Sequence, residues 1–312
     1  MKLVQSVLFV IFPTSRLLSA QAAPPLDQLA THLAAMTAIS GYEQAMADSL
    51  IGLLPGAQRD RAGNVILTLG SGDPKILIAC PMDEPGFVVG GIRPDGYLTL
   101  RRAGPSPGPL ADQQYEGQRV TVFGRRGPIP GVVGVRSTHL ARGRAASETP
   151  FTFDDAYVDI GADSAAQVER LGVSALAPVS RTKAPVRYGD SLLAAPGAGR
   201  RAGCAALVRA ARAAEPAAGS VTIAFVVEQS FTRRGLLTVA HQLGPFNKAL
   251  LLEASGGPEP AARTASPDPE WLPDFGIIGI RVRYPGTQVE TVSFEEAARI
   301  ERKLRATIGG VE

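Results

Sequence analysis

Two adjacent carboxylates, Asp83 and Glu84, end the apolar stretch ILIACPMDEPGF, residues 76–87. Carboxylates at the end of a buried strand stand where α/β proteins place their chemistry. With imidazoles nearby they hold catalytic metals. Here Pro81 offers no side-chain lone pair, and the chain has only three histidines, His32, His139 and His241. None is paired at helical spacing, which excludes a His-Glu-x-x-His centre. Ser230 lacks the Gly-x-Ser-x-Gly surround of an activated serine. The glycine-rich APGAGRRAG, residues 195–203, lacks the Lys-Ser/Thr of a phosphate loop and reads as a turn entering a helix. Cys80 and Cys204 fall in apolar surroundings and read as small buried hydrophobes; a disulfide between them stays open, though two cysteines make no framework.

These groups need elements to position them. The spacing of Leu26, Leu29, Leu33 and Met36 predicts a helix, and Ser40 with Glu43 predicts a capping box opening a second one. Short strands are expected at 65–69 and 75–80, joined by the turn GSGDP. From about residue 86 to 186 glycine and proline become frequent and the strands short (86–89, 97–100, 120–123, 131–135, 156–160), the pattern of a small β-barrel or sandwich. One helix, 165–171, interrupts it. After Gly189 helices (203–214, 233–243, 294–308) alternate with apolar strands (221–227, 249–252, 277–282), which implies a largely parallel sheet covered on both faces. Ser293 and Glu296 form a second predicted capping box.

The 312 residues suffice for one large or two ordinary domains. Apolar residues at 45% and charged residues at 20% are those of a globular protein. The net charge of +3 comes from scattered arginines, and with 6% aromatics there is no basic-aromatic interleaving, so nucleic acid is not expected as a partner. Lys2, the apolar run 3–12 and the Ala-x-Ala at 20–22 predict a signal peptide over residues 1–22 and an exported or periplasmic protein. A misplaced start would make it cytoplasmic instead. That run is too short for a membrane anchor, and no later stretch is expected to span.

Several pieces then fall in order: SGYE at Ser40, DRAGN at Asp60, CPMDEPGF at Cys80, GQRVTV at Gly117, GVVGVRSTHL at Gly131, VDIGADSAAQVERLGV at Val158, GRRAGCAAL at Gly199, VVEQSFTRRG at Val226 and RYPGTQVETVS at Arg283. The series resembles the glutamyl and tetrahedral aminopeptidases, family forty-two of the metallopeptidases. The resemblance implies a zinc-peptidase-like three-layer α/β domain (23–88 and 188–312) with an inserted small β-barrel domain (89–187) of dimerisation type. It also implies two divalent metals, zinc or cobalt, and homo-oligomers of up to twelve subunits.

Carried over position by position, the family's metal ligands fall on Pro81, Gly199, Ser230, Glu253 and Gly286, and its general base on Gln229. Proline and glycine cannot ligate, and glutamine cannot take a proton. Asp83, Glu84 and Glu253 are the expected residual acids, and Arg200 and Arg201 the expected replacement for the missing cations. The expected function is therefore a non-catalytic homologue, without cofactor, that keeps the fold and a binding or assembly role, with a peptide as possible ligand. Two alternatives stand beside it. One is an active aminopeptidase whose site is rebuilt from Asp83, Glu84, Glu228 and Glu253 around Mg²⁺ or Mn²⁺. The other is a structural or regulatory partner of an active homologue, assembling through the β-barrel.

Overall fold

The computed structural model describes residues 23–104, 112–135, 156–213, 215–216, 218–256 and 275–310. The expected signal peptide, His139 and most of the segment between Glu253 and Phe275 lie outside these residues. In chain order the helices are α1 Leu26–Ala35, α2 Gln44–Leu53, α3 Ala165–Arg170, α4 Ala198–Ala213, α5 Arg234–Leu243 and α6 Phe294–Ile308. The strands are β1 Gln58–Arg59, β2 Val65–Gly70, β3 Lys75–Pro81, β4 Gly86–Ile92, β5 Leu98–Ala103, β6 Arg119–Gly124, β7 Gly127–Gly134, β8 Tyr157–Asp159, β9 Pro178–Arg181, β10 Val186–Tyr188, β11 Leu192–Ala194, β12 Ser220–Val226, β13 Lys248–Ser255, β14 Phe275–Arg281 and β15 Thr291–Ser293.

A six-stranded sheet, ordered β1-β2-β12-β3-β13-β14, forms the centre. The four strands β12, β3, β13 and β14 run parallel, and β1 and β2 join antiparallel at one side. Every residue of β12 is buried because helices cover both faces of the sheet. On one face α4 packs between α1 and α6, and its alanines and glycines let it lie close to the strands. A Cβ at Gly203 would come 2.4 Å from Ile280 Cδ1 of β14, so any larger residue there would have to displace that side chain. On the other face Leu236 and Val239 of α5 close over Leu77, Ala79, Ala224 and Leu251. The expected three-layer α/β architecture is thus the observed one.

The strands between β3 and α4 close a six-stranded barrel, β4-β5-β8-β7-β6-β9. Its interior is filled by apolar side chains such as Phe87, Val89, Leu100, Val122, Val158 and Val179. Barrel strand β4 starts at Gly86, so the expected insert boundary after residue 88 falls inside it. Strand β9 was not anticipated from the sequence, though the barrel cannot close without it. It is only four residues long, opens on proline and alternates poorly, so nothing local marks it.

Two local expectations are corrected. Ser40 does not cap α2; its hydroxyl donates to Asp83 Oδ2 at 2.6 Å, and α2 starts after Glu43 without a side-chain cap. The helix begins at Gln44 with Glu43 at the cap position, so Ser40 lies three residues too early to reach the first free amides. In the second box Ser293 does accept from Glu296 N, but the Glu296 carboxylate turns to Arg281 and Arg299 instead of the cap amide. The two cysteines are also joined: Cys80 of β3 and Cys204 of α4 form a disulfide, with Cα atoms 5.9 Å apart. It ties the end of a central strand to the second turn of the helix beside it.

Candidate functional site

Five chain segments meet where the parallel strands end. Asp83 and Glu84 follow β3, residues 228–230 follow β12, Ala254 lies near the end of β13, Gly199 to Arg201 open α4, and residues 285–290 form the loop after β14. This is the strand-end position at which open α/β sheets hold ligands. The barrel covers it with Arg102, Tyr115 and Arg181, leaving a cavity of about 440 Å³ between the two parts.

The acids are buried and turned into protein. Asp83 is fully buried; its Oδ2 accepts from Ser40 Oγ and from Ser230 N at 2.8 Å, and its Oδ1 lies 3.3 Å from Arg200 Nη1. Glu84 Oε1 accepts from Ala38 N at 3.2 Å. Its Oε2 accepts from Lys183 Nζ and lies 3.5 Å from Arg201 Nη2. Burial pushes the Glu84 carboxyl up, but Lys183 and Arg201 outweigh it and hold the group below the usual carboxylate range. Burial likewise pulls the Lys183 ammonium down to about 8, with Glu84 opposing. Glu290 stitches two segments together: Oε1 accepts from Gly199 N at 3.0 Å and Oε2 from Gly286 N at 2.8 Å.

The guanidinium groups stand among these acids. Arg200 Nη1 also donates to Ser230 Oγ at 2.7 Å and to Asp83 O at 3.2 Å. Arg201 is 1% exposed and donates Nη1 to Met82 O, while its Nε and Nη2 have no hydrogen-bond acceptor. Burial lowers its pKa, with Glu84 and Asp83 opposing. Arg181 donates to Gly286 O at 3.0 Å and lies over the Tyr115 ring.

The sequence-derived site residues divide. Asp83, Glu84, Arg200, Arg201, Ser230 and Gly286 all line the cavity. Pro81 ends β3 and Gly199 sits at the start of α4, where a Cβ would come 2.6 Å from Val282 Cγ1 and 2.8 Å from Ala254 Cβ. Gln229 is 7% exposed, and its Oε1 has no hydrogen-bond partner. Glu253 is the correction: the residue of β13 on the cavity wall and against Gly199 is Ala254, and neighbouring strand residues face opposite sides. Glu253 therefore does not join Asp83 and Glu84. Glu228 does not join them either. Its backbone is left-handed (φ 52), and its carboxylate pairs with Arg234 and Thr232. Among the described residues no three His, Cys, Asp or Glu side chains come together as a metal would need.

Lys183, Arg181 and Arg102 escaped the sequence reading. All three come from the barrel or the segment leaving it, far along the chain from the family motifs, and no local pattern sets them apart from surface cations. Glu290 lies within the RYPGTQVETVS motif, where nothing local marks it as part of the site. The two backbone amides it binds are visible in three dimensions alone.

Residues 63–245 match the family described as M42 glutamyl aminopeptidase. The chain is 33% identical over 217 residues to SgcX of Escherichia coli (strain K12), which carries a provisional aminopeptidase name; the match covers 67% of this chain and 57% of SgcX. It is also 33% identical over 139 residues to the lysyl aminopeptidase of Pyrococcus furiosus, covering 43% of this chain and 39% of that protein. The chain thus spans little more than half the length of SgcX, and less of the lysyl enzyme. The fold superposes on the TET1 peptidase of Pyrococcus horikoshii with a TM-score of 0.78 at 21% identity, covering 91% of this chain and 99% of that one. That peptidase is described as assembling into a tetrahedron or a large octahedral shell. Among the described residues no helix is long and apolar enough to cross a membrane.

Proposed function

This chain belongs to the M42 glutamyl aminopeptidase family, and from that premise we propose that it is a non-catalytic member whose strand-end cavity has been rebuilt for binding. The observation that carries the proposal is the pair Arg200 and Arg201, held at 3.3 and 3.5 Å from Asp83 and Glu84. Guanidinium groups there repel a divalent cation and satisfy the acids that would otherwise attract one. The residues do not fit a dinuclear centre in other respects. Pro81, Gly199 and Gly286 carry no donor, and the space beside Gly199 that a bridging carboxylate would need is filled by Val282 and Ala254. Gln229, at the position of the family's general base, cannot take a proton from water.

Metal content and turnover of an aminoacyl-anilide, measured on one preparation, test this. Substoichiometric metal and no hydrolysis above buffer are expected. Stoichiometric metal with hydrolysis abolished by a chelator would overturn the proposal.

An assembly role accompanies it: we propose homo-oligomers, in keeping with the shell-forming TET1 peptidase, with the barrel as the contacting part. Light scattering on the eluting protein is expected to give a multiple of the chain mass, and a persistent monomer would count against it. We further propose export. The Cys80–Cys204 disulfide favours an oxidising compartment, and residues 1–22 have the composition of a leader. Mass determination of the protein recovered from cells tests for loss of that segment.

A further inference from the structure

We propose that the cavity between barrel and sheet receives a carboxylate carried on a small apolar body, gripped by Arg201 with Arg200 beside it; this rests on the metal-free reading above.

The distribution of unused hydrogen bonds points to an anion. Each acid at the site has both its oxygens engaged: Asp83 by Ser40, Ser230 and Arg200, Glu84 by Ala38 and Lys183, Glu290 by the amides of Gly199 and Gly286. The cations have donors to spare. A guanidinium carries five N–H groups, and Arg201, 1% exposed and one of the residues lining the cavity, donates Nη1 to Met82 O, while Nε and Nη2 have no hydrogen-bond acceptor and Nη2 keeps only its ion pair with Glu84. A buried donor left unmet is costly, more so on a charged group, and an anion that meets it recovers that cost. Glu84 Oε2, which also takes Lys183, lies 3.5 Å from Arg201 Nη2, an ion pair outside hydrogen-bond geometry.

The shape selects among anions. Two donors on one edge of a planar guanidinium match the two oxygens of a carboxylate. The volume of about 440 Å³ lies within the range of small-molecule cavities. Pro85, Tyr115, Ala254 and Pro285 give it an apolar wall beside the cations, so the ligand carries hydrocarbon behind its charged head. Such a carboxylate can come from a free organic acid or from the C-terminus of a peptide.

The test is calorimetric titration of the full chain, with chelator present, against hexanoate, hexanamide, a Leu-Leu dipeptide, its C-terminal amide and inorganic phosphate. At least one of the two carboxylates is expected to bind, and neither amide. Hexanoate binding marks a free-acid site, and binding of the dipeptide alone marks a peptide terminus. Arg201→Met is expected to abolish binding. If that variant fails to fold, Arg200→Gln, with a partly exposed side chain, is expected to weaken binding about ten-fold or more. No carboxylate binding, equal binding of the amides, phosphate binding tighter than either carboxylate, or unchanged affinity in Arg200→Gln would each overturn the inference. Metal content of the same sample is read separately. Two tightly held metals would remove the metal-free reading, whereas a metal-free protein that ignores carboxylates would remove only this inference.

Discussion

The barrel interior and the strand-end cavity are both buried, and they are held together by opposite means. The barrel closes on apolar side chains from all six strands, with Phe87 and Tyr115 meeting edge to face at 5.2 Å between ring centres. The strand ends bury Asp83, Glu84, Lys183 and Arg201, four ionisable groups whose environments depend on one another. Apolar burial is additive and tolerant of substitution at similar volume. A buried ionic cluster is not, because removing one member leaves the others as uncompensated charges. The barrel can therefore drift in sequence while keeping its shape. The cavity keeps its shape only if its charges change together.

Substitutions can break this contrast. Glu84→Ala is expected to have the largest effect, about 3–5 kcal/mol in denaturant unfolding, because Lys183 and Arg201 stay buried without their partner. Adding Lys183→Met should recover part of that loss; a double variant as unstable as the sum of the singles would mean the groups act independently. In the barrel Phe87→Ala is expected to cost about 3–4 kcal/mol through cavity formation, and no second charge change should rescue it.

The Cys80→Ala, Cys204→Ala double variant is expected to lose about 2–4 kcal/mol. The disulfide holds β3 against α4, so the loss should appear with a loosened cavity while the barrel keeps its amide protection in hydrogen exchange. Gly199→Ala is expected to cost about 1–3 kcal/mol by overpacking against Val282 and Ala254. A neutral result would show that the space remains open to a bridging side chain.

The smallest effect is one of pH, at α6. Burial pushes the Glu296 carboxyl up, but hydrogen bonds from Arg299 and Arg281 outweigh it and hold it at about 2. A lowered carboxylate pKa stabilises the fold above the unfolded value of 4.5 and loses that stability as pH falls from there toward 2. Glu296→Gln should flatten the acid limb of the stability curve in that window.

Much of this was legible in one dimension because hydrophobic spacing is local. The bounds of α6 follow from its spacing, β12 from an unbroken apolar run, and the barrel from a change in glycine and proline frequency. The failures are local signals overruled by partners far along the chain. Ser40 has the form of a cap, but Asp83, 43 residues away, takes its hydroxyl. Glu253 has the type and position of a retained ligand, yet the pleat of β13 presents Ala254. Lys183 carries no mark in the sequence because its only distinction is the carboxylate it meets.

The order of motifs along the chain determined the family and the α/β fold, and residue identity alone fixed that Pro81, Gly199 and Gly286 cannot ligate a metal. These are statements about side-chain chemistry, which a sequence states outright. Which charges face one another, which donors are left over and which face of β13 meets the cavity were decided only by the tertiary structure. They depend on the packing of five separate segments and a barrel around one strand end, and electrostatic pairing at a few ångströms is set by that packing, not by distance along the chain.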